Sequence, residues 1–147
     1  MGSVQKEWLI YFYETEDHPY SDWLFFLRKG YKHCGALSYN TKKDAWVHLE
    51  FTHAGIRLSF LDKEELEDML AYLKNFKVLR CPVKDQWHLL RIKDITCVTF
   101  IMRLIGYYKW WIFTPYQLYC ALIKEGYKSF WEQHDKTKEK ISTRNNR

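Results

Sequence analysis

Asp94-Ile95-Thr96-Cys97-Val98-Thr99-Phe100-Ile101-Met102-Arg103-Leu104-Ile105-Gly106 is the stretch on which the fold of this chain turns. Phe100, Ile101, Leu104 and Ile105 recur at helical spacing, so a short buried helix is predicted. Asp94 or Thr96 can cap its start and Gly106 can stop it. Cys97 then falls in the first turn, where unpaired N–H groups and the helix dipole favour an anion. A thiol so placed has its thiolate stabilised, and the thiolate is the nucleophilic form. Cys97 is also in register with Phe100, Ile101 and Leu104, so a small apolar core residue is the competing reading.

Downstream, residues 107–113 form a run dense in rings. Thr114-Pro115 starts a final helix, with Thr as N-cap and Pro at the first helical position. Leu118, Ala121 and Leu122 make its inner stripe and Gly126 stops it. Phe130 and Trp131 follow, placed to dock back on the domain. Upstream, strand formers dominate 7–14 (EWLIYFYE). A turn at 15–19 leads to a short helix over 22–28, capped by Ser21 and ended by Lys29-Gly30. A second strand covers 31–39, with His33, Gly35 and Leu37 on one face and Cys34, Ala36 and Ser38 on the other. After a polar hairpin turn at 40–44, a third strand, 45–51, puts Val47, Leu49 and Phe51 on one face and Trp46, His48 and Glu50 on the other. A fourth covers 56–61. Asp62 with Glu65 forms a capping-box pattern for a helix running to about Asn75, with Leu66, Met69, Leu70 and Leu73 inward and its acids in solvent. A fifth strand spans 76–83, and 84–93 is an irregular connector. The whole is an α+β domain: a mainly antiparallel sheet of about five strands, with the Cys97 helix and further helices packed on one side.

A chain of 147 residues fits one domain and can bury a core without disulfides or metals. The single domain is expected over 1–133, with a loose start at 1–6 and a basic polar tail at 134–147. That tail holds five Lys/Arg against two acids, so much of the net charge of +5 lies outside the folded part. A dedicated nucleic-acid binder, which needs a basic face, is therefore disfavoured, and single-stranded nucleic acid ranks last among the partners. Cys34, Cys81, Cys97 and Cys120 include no CxxC and give neither a zinc pattern nor a disulfide framework. Cys34, Cys81 and Cys120 read as buried thiols. His18 and His134 read as solvent residues, and His53 and His88 have no partner at metal-ligand spacing. No metal and no cofactor are expected. Arg103 and Lys109 interrupt the longest apolar stretch, 95–113, so no transmembrane segment is expected. With no signal peptide or lipidation motif read at the start, the expected compartment is a reducing cytoplasm.

Within this layout Cys97 opens a helix and His33 opens a strand. A cysteine hydrolase needs that pairing: imidazole takes the thiol proton, a third polar group orients the imidazole, and helix N–H groups hold the oxyanion. Strand three offers Glu50 and His48 for the third role, with Glu50 favoured because a carboxylate stabilises imidazolium.

The order of KHCGALSY, WVHLEF, TCVTFIMRLIG and TPYQLYCAL resembles the circularly permuted branch of the NlpC/P60-like, papain-fold cysteine hydrolases, and more closely small cysteine-peptidase-like proteins of bacteria and phages. The resemblance runs over 7–125 and implies Cys97 as nucleophile, His33 as base and Glu50 as the acid. It implies a peptidase, amidase or acyl-transferring hydrolase acting on a peptide, cell-wall peptide or acyl substrate. The alternative is a catalytically silent domain of the same fold, a phage or viral structural or accessory protein, virion-associated in that case. Tyr107, Tyr108, Trp110 and Trp111 are the candidate lining of a substrate or partner groove, since so many adjacent rings cannot all face inward.

Overall fold

The computed structural model describes residues 7–14, 27–52, 54–83, 96–107 and 109–132. The turn at 15–19, most of the helix expected over 22–28, the connector from 84, His18, His53, His88, Tyr108 and the tail at 134–147 lie outside the described residues.

Six strands form one antiparallel sheet: β1 (Glu7–Tyr13), β2 (His33–Asn40), β3 (Ala45–Thr52), β4 (Gly55–Leu61), β5 (Lys77–Pro82) and β6 (Lys128–Ser129), in the spatial order β4-β3-β2-β1-β5-β6. The first four make a meander. Helix α1 (Lys63–Leu73) then carries the chain from the β4 edge to the far side of β1, where β5 pairs. Two further helices, α2 (Cys97–Leu104) and α3 (Pro115–Lys124), follow. The sixth strand exceeds the expected five. It is two residues long, too short for any alternation to reveal.

Alternation along the strands builds two cores. Ile10, Phe12, Cys34, Ala36, Leu49, Leu79 and Cys81 face α2 and α3, where Val98, Phe100, Ile101, Met102, Leu118 and Leu122 are buried against them. Each such large side chain contributes about 1.5–3 kcal/mol by leaving water. Leu9, Tyr11, Leu37 and Val78 face the opposite side and meet Leu73 and Met69 of α1, with Phe130 and Trp131 docked beside them. The expectation of helices on one side is therefore corrected: α1 covers the face opposite α2 and α3. The reason is visible in β1, whose EWLIYFY run is buried on both faces and so requires cover on both.

The helix ends follow from local chemistry. Asp62 caps α1 through a reciprocal box with Glu65. Thr96 caps α2, exchanging bonds with Thr99, and Thr114 caps α3, exchanging bonds with Gln117. At the other end of α2, Gly106 takes φ of 69°, a conformation side chains with a Cβ rarely adopt. Its N–H bonds to Arg103 O and the Tyr107 N–H to Met102 O at 2.8 Å, closing a Schellman turn. The same pair of bonds closes α3 at Gly126 and Tyr127. Among the described residues no helix is long and apolar enough to cross a membrane.

Candidate active site

Cys97 is the first residue of α2, directly after the Thr96 cap. The capping box occupies the N–H groups of Thr96 and Thr99. The N–H groups of Cys97 and Val98, at the first two helical positions, have no acceptor within the helix. Val98 and Ile101 anchor the helix on the sheet, and Phe100 lies 6.3 Å from the ring of Phe51 on β3. This packing sets the helix start against the beginning of β2.

His33 is the first residue of β2, and its imidazole pairs with the Glu50 carboxylate and interacts electrostatically with the Cys97 thiol. His33 Nε2 stands 3.4 Å from Glu50 Oε1, with side chains only 18% and 14% exposed. Glu50 comes from β3, where it pairs with Gly35 of β2 and so shares the sheet face with His33. The three chain segments meet at the end of the sheet, and the sequence-predicted set of Cys97, His33 and Glu50 is brought together.

Electrostatics follow from these contacts. Burial pushes the His33 pKa down, but the bonds to Cys97 and Glu50 outweigh it and raise the pKa from 6.5 to about 9. The hydrogen bond to His33 is the main cause that lowers Glu50 from 4.5 to about 2, against the opposing effect of burial. The Cys97 thiol is held well below its ordinary value, first by a bond from the Cys34 thiol, then, against burial, by His33 and by the Cys34 backbone N–H. Both shifts run in the direction of a thiolate–imidazolium pair.

Tyr13 completes the frame, and the sequence reading had not singled it out. It lies directly opposite His33 in the β1–β2 pair. Its hydroxyl donates to Glu50 Oε1, the atom that also faces His33. Its ring stands edge-on to the imidazole, centroids 5.3 Å apart at 79°, and rests on Phe76. Burial and the adjacent carboxylate raise its pKa, so it stays a neutral donor. The available signal was period-2 alternation, which puts Tyr11 and Tyr13 on one face of β1.

His48 shares that face but has other partners. Tyr11 Oη lies 2.6 Å from His48 Nε2, and Ser59 Oγ lies 3.5 Å from Nδ1. Burial raises the Tyr11 pKa and lowers that of His48, so a neutral phenol donates to Nε2 of a neutral ring. His48 therefore props the sheet face behind Glu50, and Glu50 holds the position beside His33. Close by, the Tyr11 ring crosses over Gly35 so tightly that a Cβ there would collide with it.

The aromatic run begins at the other end of α2, about 12 Å along the helix from Cys97. Tyr107 is buried with Ile112, whereas Trp110, Trp111 and Phe113 are exposed, at 71%, 52% and 66%. Cys34 and Cys81 are buried as expected, but Cys120 is exposed, a correction. It sits two residues from each of Leu118 and Leu122, which turns it to the outer side of α3. No group of three or more His, Cys, Asp or Glu suited to a metal ion occurs among the described residues. Comparison of the chain with protein-family models, with curated proteins and with solved structures finds no match.

Proposed function

We propose that the protein is a cysteine hydrolase or acyltransferase that acts through an acyl-enzyme on Cys97. The observation that carries the reading is the linked set Cys97–His33–Glu50, with the thiol at a helix start and the imidazole held by a carboxylate. The chemistry follows. The Cys97 thiolate attacks an amide or ester carbonyl, and the oxyanion forms beside the Cys97 and Val98 N–H groups. Imidazolium at His33 gives its proton to the departing amine or alcohol. Neutral His33 then takes a proton from water, or from an acceptor nucleophile, as it attacks the acyl-enzyme. Glu50 stabilises the imidazolium and fixes its tautomer, and Tyr13 holds Glu50 in place. A histidine-bearing strand that precedes the cysteine-bearing helix also supports the permuted papain-like, NlpC/P60-like reading, with peptides, cell-wall peptides and acyl groups as substrate classes.

The test is acyl trapping. Incubation with activated esters, thioesters and peptide amides, followed by intact-mass analysis and peptide mapping, is expected to place the acyl group on Cys97. Cys97→Ala should stay folded and take up none. Acylation confined to Cys120, or none in the folded protein, contradicts the proposal.

A second reading, a catalytically silent binding domain, draws on the exposed Trp110, Trp111 and Phe113, a cluster of large apolar side chains on the surface. Association with a protein partner that Trp110→Ala abolishes, in a chain whose Cys97 is inert, would select it.

A further inference from the structure

Cys34 is the nucleophilic group that the proposed chemistry leaves unused. It is the residue after His33 on β2, wholly buried, and its side chain points to the α2 face. Cys97 packs against the buried cluster to which Cys34 belongs, and the two thiols interact closely enough that each shifts the titration of the other. Cys97, by contrast, is only partly buried. Two thiols therefore adjoin at the site, one in a partly buried residue and one in a wholly buried residue. Packing alone asks only for a small apolar residue at position 34, a role its neighbour Ala36 fills further along the same face.

We propose that Cys34 is a resolving cysteine that protects Cys97 and switches the site off under oxidation. The inference rests on Cys97 being a nucleophilic thiolate. Its co-reactant is a hydroperoxide. The Cys97 thiolate attacks one peroxide oxygen, an S–O bond forms, the O–O bond breaks, and hydroxide or alkoxide leaves. Cys97 is oxidised to the sulfenic acid and the peroxide is reduced. The Cys34 sulfur then attacks the Cys97 sulfur. The S–S bond forms, the S–O bond breaks, and hydroxide departs as water with the Cys34 proton. Because the partner thiol belongs to the cluster that Cys97 packs against, this step competes with further oxidation of the sulfenic acid, which is irreversible. A thiol reductant cleaves the disulfide and restores the thiolate, as befits a transient disulfide in a reducing compartment.

The test treats the full chain with hydrogen peroxide, blocks remaining thiols, and maps the peptides without reduction. A Cys34–Cys97 cross-link is expected, with a mass lower by two hydrogens, and dithiothreitol should restore iodoacetamide labelling of Cys97. In Cys34→Ala, peroxide should drive Cys97 to the sulfinic acid and labelling should not return. The cross-link in the unaltered chain is decisive even if Cys34→Ala folds poorly. Fast iodoacetamide labelling of Cys97 combined with sulfinic acid and no cross-link overturns this inference alone. A Cys97 inert to both reagents overturns it together with the proposed function.

Discussion

Replacing Glu50 by Gln removes the charge beside His33 while keeping an acceptor oxygen for Tyr13 and for Nε2. The lift of His33 from 6.5 to about 9 corresponds to about 3.4 kcal/mol, achieved against the cost of burial. The bond to Cys97 is the larger contribution and that to Glu50 the next. Loss of the carboxylate charge should therefore lower the His33 midpoint by about one pH unit or more, roughly 1.4 kcal/mol. The assay is a pH titration of the histidine ring signals by two-dimensional NMR, with His33 assigned from the spectrum of His33→Ala. Stability should change in step. A carboxylate lowered to about 2 contributes stability that is present above 4.5 and lost as pH falls through 2. A histidine raised to about 9 contributes stability that is full below 6.5 and lost as pH rises through 9. Urea unfolding of the unaltered chain should thus weaken by about 2–3 kcal/mol between pH 5 and pH 2, and Glu50→Gln should lack that acid loss. A His33 midpoint that stays put in Glu50→Gln, or one near 6.5 in the unaltered chain, refutes the reasoning.

Two other perturbations test the frame around the site. Tyr13→Phe deletes the donor to Glu50 and should cost about 1.5–3 kcal/mol in urea unfolding, the range for a hydrogen bond to a charged group. It should also raise the Glu50 midpoint, read from the side-chain carboxyl signal by NMR; an unmoved midpoint would mean that Tyr13 only packs. Gly35→Ala drives a methyl into the Tyr11 ring, which cannot swing away while its hydroxyl is bonded to His48. A loss of about 1–3 kcal/mol is expected by thermal melting, and an unchanged melt would mean that the sheet face is looser than described.

Much of this fold was legible because short-range chemistry decides it. Asp62 and Thr114 announced two helix starts, Thr96 was one of two candidates with Asp94 for a third, Gly106 and Gly126 marked two stops, and the alternation of β3 separated Glu50 and His48 from Val47, Leu49 and Phe51. What stayed hidden depends on register and on cover from afar. The continuous apolar run of β1 was a sign that both faces need cover, and it went unused; alternation puts Tyr13 on the face of Tyr11, but its meeting with Glu50 depends on the register of β1, β2 and β3. Cys34 and His33 are assigned opposite faces by alternation. Only the arrival of α2 at the strand's end, where both faces are within reach, brings them to one sulfur. Cys120 was readable and missed, since the Leu118–Leu122 stripe already turned it outward. Of the rings expected to line a groove, Tyr107 is instead buried while Trp110 and Trp111 are exposed, and the distance of the run from Cys97 follows from which end of α2 it leaves.

The thiolate–imidazolium pair is the claim on which the rest depends, and cysteine-resolved iodoacetamide labelling against pH measures it directly. Cys81, buried and pushed up to about 12, should not react in the folded protein, and exposed Cys120 is the reference. At about pH 6, where free thiols are almost wholly protonated, Cys97 should label at least ten-fold faster than Cys120 and slow by a similar factor in His33→Ala. A Cys97 that labels no faster than Cys120, or whose rate is indifferent to His33, would contradict the account.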